Sequence, residues 1–411
     1  MPAQPTSSSA HFGALPDPRV ERAREHLPID ILTIGLCAIL CGGEGWTDMA
    51  TFGRAREGWL RTFLALPNGI PSHDTFGRVF AALDPAAFEA AFAGWVRAVA
   101  PQTAARALAV AGKTLRRSHD RAKGKAALHL VSAWAAASGL VLGQVAVDSK
   151  ANEIVAIPHL LALLDLRGCT VTIDAMGCQT AIARQIVEQG GDYALALKDN
   201  HPTLHDDVRA IFAEARRTDF APLDPAHHGH ARAVEQRHGR LELRRARVIS
   251  DPAIIAFLDE AGRWAGLRAI GLIEAERRVG AKREVEQRHY LLSAPLDAAT
   301  FAGTVRRHRG VENKLHWVLD VTFDEDASRV RAGHAAQNLA VLRRPALNLL
   351  RQDTTRKGSV ATKRFTAALD QDYLTALLVA ARTPRPLEKM REPCSLRADR
   401  CSFGGAGTPE R

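Results

Sequence analysis

Cysteines and long apolar runs are both scarce in this chain of 411 residues. The six cysteines form no CxxC pair and no evenly spaced framework, which excludes a disulfide-stapled scaffold. The longest apolar run, residues 31–41, is too short to span a bilayer and is typical of a buried helix. Residues 1–18 lack the apolar core of a signal peptide, so we expect a cytoplasmic protein with no membrane partner.

Acidic residues are outnumbered by basic ones. The chain has 45 Asp and Glu against 55 Lys and Arg, a net charge of +10. This excess favours a polyanionic partner such as nucleic acid, although a GC-rich genome that writes many arginine codons would produce the same bias. The hydrophobic fraction of 46% is that of an ordinary globular protein, so the charge does not reflect a disordered polyelectrolyte.

The pattern along the chain predicts several regions. A turn at residues 67–71 sits between two helical stretches of the N-terminal part, and this pair could read DNA or brace the next domain. The expected regions are a disordered arm at 1–18, an all-helical domain at 19–100, an α/β catalytic domain at 106–350, a helical segment at 351–382 and a disordered tail at 383–411.

The α/β region begins with three strand-like stretches and then alternates helix and strand. Ser138-Gly139 predicts a tight turn between the second and third strands. This order indicates an antiparallel meander followed by crossovers, as in an RNase H-like sheet, with a β-rich insertion at about 200–300 and a return to helix at 301–350. The predicted strands are 107–114, 128–137, 140–148, 170–174 and 193–197, and the predicted helices between them are 152–166 and 179–189.

Two acidic residues stand where a site is expected. Asp174 ends the fourth predicted strand, at the edge where open α/β sheets bind their ligands. Glu312 lies in a helical run, with His308 and His316 four residues to either side on the same face. This stripe would suit a transition metal. The alternative is that the histidines and neighbouring Arg309 contact DNA phosphates beside the acid.

Six long strings of the sequence are similar to one family. The chain resembles the transposases of the ISAs1 group, within the IS4-like, DDE-type superfamily that includes the H-repeat-associated proteins. The resemblance covers residues 17–378 and rests on LPNGIPSHDTF at 66–76, GKTLRRS at 112–118, LHLVSAW at 128–134, TIDAMGCQ at 172–179, GDYALALK at 191–198 and ENKLHWVLD at 312–320.

The resemblance implies a retroviral-integrase-like catalytic domain in which two Asp and one Glu hold two Mg²⁺ ions for DNA cleavage and strand transfer. It also implies double-stranded DNA partners, namely the terminal inverted repeats of the element and a target, and a homodimer on paired ends at the bacterial nucleoid. Asp174 matches the second acid and Glu312 the third. Ala111 stands where the family string reads Ile-Asp-Gly-Lys-Thr, so the first acid is missing and Mg²⁺ binding is weakened.

We therefore expect this copy to be inactive. Asp148 ends a strand too far away to substitute for the missing acid, and Asp120 lies in a basic loop from which we expect no substitution. Two other readings remain: a non-enzymatic DNA-binding relict that occupies element ends or inhibits an active relative, and an unrelated metal-dependent nuclease.

Basic residues around the expected site would hold DNA through its phosphates, the alternative being an ordinary solvated surface. Trp264 in the insertion would either stack on a flipped base or belong to the core. The predicted DNA contacts are Lys113, Arg116, Arg117, Lys198, Arg240, His308, Arg309 and His316.

Overall fold

The computed structural model describes residues 11–99, 107–119, 124, 126–147, 153–237 and 240–380. By internal contacts these residues form two units, one made of residues up to 192 together with 306–380, the other of residues 193–305. The fold is mixed α/β, as predicted.

Helices dominate the first unit at both ends of the chain. Pro28 occupies the first turn of helix α1, where its missing N–H is not needed, and the Ser72 hydroxyl accepts from Thr75 N at the start of helix α4. The N-terminal helices are α1 (Pro28–Leu40), α2 (Trp46–Ala55), α3 (Glu57–Leu60), α4 (His73–Ala82) and α5 (Pro85–Val99).

The first unit also holds four strands. Their spatial order β3-β2-β1-β4 confirms the predicted meander, because β1, β2 and β3 pair antiparallel while β4 returns parallel to β1 on its other side. Parallel pairing requires a crossover, which helix α6 supplies before β4. The elements are β1 (Ala107–Thr114), β2 (His129–Ala135), β3 (Leu140–Val147), α6 (Glu153–Ala162), β4 (Thr170–Ile173) and α7 (Thr180–Glu188).

The N-terminal helices share one core with the rest of this unit. Helix α12 packs against α1, α4 and α5 and also against β3, so the predicted boundary near residue 100 divides the sequence but not the packing. Residues 1–10 of the predicted arm lie outside the described residues, whereas Phe12 and Leu15 are buried in this core, so the arm prediction extended too far. The C-terminal helices are α12 (Ala335–Gln352), α13 (Val360–Leu369) and α14 (Gln371–Ala380).

The second unit is rich in β-strands. Its strands follow the antiparallel order β5-β9-β8-β7-β6. Strand β6 and helix α8 were not predicted. Strand β6 carries few apolar residues, so its sequence does not mark it as a strand. The elements are β5 (Asp192–Leu197), α8 (Pro202–Arg217), β6 (His228–Arg237), β7 (Arg240–Ile249), α9 (Pro252–Leu258), β8 (Ala269–Val279) and β9 (Lys282–Leu292).

A long helical segment follows β9 and carries Glu312. It consists of α10 (Ala298–Val311), a single π-helical turn (Glu312–His316) and α11 (Trp317–Thr322). Among the described residues no single helix has the length and apolarity to cross a membrane, and α4 with α5 reaches that length only as a pair bent by 93°.

Candidate active site

Ala111 and Asp174 occupy matching places on the two parallel strands. Val110 and Ile173 are register partners in β1 and β4, and Ala111 and Asp174 are the next residues in the same direction. Neighbouring strands lie about 5 Å apart, so the two positions are side by side at the carboxyl end of β4. Asp174 is exposed, and one of its oxygens accepts from Met176 N at 3.2 Å, which caps a short 3₁₀ turn.

Helix α10 lies against the same face of these strands. Thr172 is two residues before Asp174, so the two side chains share a face, and Thr172 Oγ1 bonds His308 Nδ1 at 2.9 Å. Glu312 comes four residues after His308, hence on the same side of the helix. The His308 contact therefore directs Glu312 toward the face that carries Ala111 and Asp174.

The π turn sets the surroundings of Glu312. Its carboxylate is exposed and accepts from His316 Nδ1 at 3.3 Å, while the His316 ring itself is buried. This hydrogen bond, together with the charges of His316, His308 and Lys113, outweighs desolvation and holds the pKa of Glu312 below its ordinary value. Single π turns are rare and occur often at functional sites.

Lys113 has a different role from the predicted phosphate contact. Its ammonium is buried and pairs with Asp320, with Glu325 at 2.9 Å and with Asp326 at 3.7 Å. Arg344 completes this cluster through a direct ion pair with buried Glu325. Lys113 therefore ties β1 to α11 and to the residues that follow it, on the face that it shares with Ala111, and its ammonium is engaged within the protein.

A second buried pair lies on the opposite face of β1. His129 Nε2 and Glu153 Oε1 are 2.6 Å apart, and a Cβ at Gly112 would lie only 2.3 Å from that Glu153 oxygen. Glycine is therefore required at position 112. Because side chains alternate across a strand, Glu153 is on the wrong face to replace a carboxylate at position 111. No sequence pattern predicted this pair.

The remaining predicted DNA contacts differ in setting. Arg117 and Arg309 are exposed, and Arg116 is exposed but pairs with Asp326 at 3.4 Å. His308 and His316 bond to Thr172 and Glu312, and His316 is buried, so both serve first as internal contacts.

Two of the predicted DNA contacts, Lys198 and Arg240, belong to the second unit. Lys198 is exposed one residue after β5, while Arg240 pairs with Glu242 at 2.6 Å. Trp264 is buried against His201, so the base-stacking reading of that residue is wrong. Asp120 and Asp148, considered as substitutes for the missing acid, lie outside the described residues.

The carboxylates suit a hard cation only in part. Asp174 and Glu312 offer exposed oxygen ligands, which Mg²⁺ prefers, and one ion held by two carboxylates can keep several waters. Within the part of the chain that the structure describes, no group of three or more His, Cys, Asp and Glu is placed to hold a metal. Asp174 and Glu312 are therefore two of the three carboxylates that a two-ion site would need, with Ala111 at the place of the third.

Exposed carboxylates from a strand end and a covering helix are of the kind that support metal-assisted phosphoryl transfer. Comparison with known proteins makes this specific. Residues 82–349 match the family model described as the transposase DDE domain, and residues 9–96 match the one described as DDE_Tnp_1-associated. The chain belongs to the DDE transposase family.

Individual relatives extend over most of the chain. The H repeat-associated protein YhhI of Escherichia coli is 37% identical over 375 residues, which is 90% of this chain and 97% of YhhI. A protein encoded in the dhlA 3′ region of Xanthobacter autotrophicus is 48% identical over 288 residues, covering 70% of this chain and 94% of that protein. A piggyBac transposase synaptic complex with hairpin DNA aligns over 94% of this chain and 83% of its own, with a TM-score of 0.39 and 8% identity.

The different settings of Lys113 and Arg117 make a testable contrast. We expect Arg117→Ala to weaken binding to any DNA duplex and to reduce the slope of log affinity against log salt by about one, because one phosphate contact is lost. Lys113→Met should leave that slope unchanged at a temperature where the variant is folded. Titrations at several salt concentrations measure both. A reduced slope for Lys113→Met would show that the ammonium reaches DNA after all.

Proposed function

We propose that this chain is an insertion-sequence transposase of the ISAs1 group that binds the terminal inverted repeats of its element, and that Ala111 disables its strand-cleavage chemistry. The observation that carries the proposal is that position 111 and Asp174 each follow the register pair Val110–Ile173 of two parallel strands, beneath the helix that leads to Glu312. The order of β1 to β4 supports an RNase H-like reading of this domain.

The proposed chemistry follows from what the residues can hold. Asp174 and Glu312 would bind Mg²⁺, which when bound supplies charge neutralisation at a phosphate and activation of a water or a DNA 3′-OH. Exposed Arg117 and Arg309 would hold the scissile strand through its phosphates. A homodimer would bring two ends and a target DNA together, in the cytoplasm at the nucleoid.

The methyl group of Ala111 favours a second candidate function. A protein that recognises element ends without cutting them would occupy those ends, or would inhibit an active relative by joining its complex. Both functions require recognition of the element ends and differ only in whether the DNA is cut. A DNA-binding assay therefore tests the step that the two functions share.

End recognition is tested with the protein as written. We expect it to bind a duplex that carries the inverted repeats flanking its own coding sequence at least tenfold more tightly than a shuffled duplex of equal length and composition, because base contacts add to the shared phosphate contacts. Gel-shift titration at fixed salt measures the ratio. Equal affinity for the two duplexes would overturn end recognition, and cleavage of RNA–DNA hybrids instead would point to an unrelated nuclease.

A further inference from the structure

Trp317, the first residue of α11, has its side chain at the surface. It is 56% exposed, whereas the other tryptophans are buried or half-buried in the described chain. The neighbouring residues Leu315, His316 and Leu319 face the core, so the packing of this segment does not use the Trp317 indole. An indole left in water does not gain the free energy of burial, so a partner that covered it would gain that free energy.

The π turn places Trp317 beside Glu312. Trp317 N–H donates to the carbonyl oxygen of Glu312, an i to i+5 bond that closes one wide helical turn. Both side chains are exposed, one turn apart, and Val321 continues the exposed side four residues later. Any strand whose phosphate reaches Glu312 therefore passes close to the indole.

The charge around Trp317 identifies the kind of partner. Between residues 306 and 317 Glu312 is the one acidic residue, and four basic side chains are exposed, Arg306, Arg307, Arg309 and Lys314. An apolar protein partner would have to desolvate these cations, whereas a nucleic-acid strand places phosphates on them and a base on the ring. Charge complementarity thus favours a nucleic-acid strand.

We propose that Trp317 is a stacking platform for an unpaired base next to the phosphate at Asp174 and Glu312. This inference rests on the proposed function. Inside a duplex both faces of every base are covered by its neighbours, so the indole stacks on a base that has left the helix, as in a single-stranded overhang. Trp317 would thus favour a duplex with an overhang over one whose ends are fully paired.

The test compares two DNA probes and four proteins. The probes are one duplex of arbitrary sequence, about 30 base pairs long, ending either blunt or in a short single-stranded overhang. The proteins are the unsubstituted chain and the variants Trp317→Ala, Trp317→Phe and Phe365→Ala. Phe365 is a matched control, because it is an aromatic side chain that is 66% exposed on a different helix, α13.

We expect the chain as written to bind the overhang probe about fivefold or more tightly than the blunt one, because each stacked base contributes on that order. Trp317→Ala should abolish this preference without changing affinity for the blunt probe. Trp317→Phe should retain part of it, and Phe365→Ala all of it. Unchanged blunt-duplex affinity also shows that the variants are folded.

The binding results distinguish failure of this inference from failure of the proposed function. If neither probe is bound while the inverted-repeat duplex is, the stacking role is overturned and the proposed function stands; if none of these duplexes is bound, the proposed DNA function itself is overturned. If both probes bind equally, or if Trp317→Ala keeps the preference, the stacking role is overturned while DNA binding stands. A change of oligomeric state in Trp317→Ala, with the preference intact, would assign the indole to a protein interface instead.

Discussion

Replacing Ala111 by aspartate is expected to raise Mg²⁺-dependent nicking of an element-end duplex by about a thousandfold or more. A carboxylate at this position would stand beside Asp174 on the adjacent strand and would complete a set of three with Glu312. A third anionic oxygen ligand stabilises the developing charge of phosphoryl transfer by several kcal/mol, on the order of the gain expected. The measurement is cleavage of a labelled duplex by the two proteins side by side.

The surroundings of Ala111 leave part of a new carboxylate in contact with water, because Ala111 is only half-buried although it packs against the core. Lys113 lies two residues further on the same face, where its ammonium already pairs with three carboxylates, so water is the main stabiliser of the new anion. We therefore expect the substitution to change the thermal midpoint little, which a melting curve of the variant would establish before any assay.

Three control variants test whether the recovered nicking depends on the new charge and on the two other carboxylates. Ala111→Asn has nearly the shape of aspartate but no charge and should stay inactive. In the aspartate background, Asp174→Asn and Glu312→Gln should each remove the recovered nicking. If the protein as written already cuts as fast as the aspartate variant, another acid serves the site and the assignment of position 111 is wrong. If the aspartate variant binds ends but does not cut, activity was lost at more than one residue.

Much of the fold could be predicted because strands that are buried on both faces read as short, nearly continuous apolar runs between turn signals. The bounds of β1 agree with the prediction, and β4 ends directly before Asp174 as expected. Strand β6 was missed because it lies in an exposed hairpin, where ten register pairs with β7 hold it and its side chains need not be apolar. Backbone pairing of this kind leaves little trace in a single sequence.

The acids of the candidate site were easier to find than their partners. Helical spacing predicted that Glu312 and His316 would meet, and their hydrogen bond confirms it. Spacing did not predict that His316 would turn inward, because that depends on the π turn and on what packs beneath it. Lys113 and Glu325 are 212 residues apart in sequence, so only the folded chain reveals that the lysine is internal.

Glu325→Gln is expected to lower the free energy of unfolding by about 3 kcal/mol. Glu325 and Arg344 are almost completely buried, and the Glu325 carboxylate also accepts from Lys113 at 2.9 Å. Removing this anion leaves buried Arg344 without the carboxylate of its ion pair and takes one of three carboxylates from Lys113, which costs more than the loss of a surface pair. Asp326→Asn is the matched control, because Asp326 is partly exposed and its pairs with Lys113 and Arg116 are longer, 3.7 and 3.4 Å. It should cost less than about 1 kcal/mol in urea unfolding.

The pH dependence of stability tests the same cluster independently. Burial alone would raise the pKa of Glu325, but the charges of Arg344 and Lys113 override it and hold the pKa well below the ordinary value of 4.5. A carboxyl whose pKa is depressed in the folded state stabilises the protein above its unfolded pKa and loses that contribution as pH falls toward the folded value. The difference in unfolding free energy between the protein as written and Glu325→Gln should therefore be constant near neutral pH and shrink below about pH 4.5. A difference that stayed constant on acidification would mean that Glu325 acts through packing and not through its charge, and that the tie between β1 and the helix bearing Glu312 is not electrostatic.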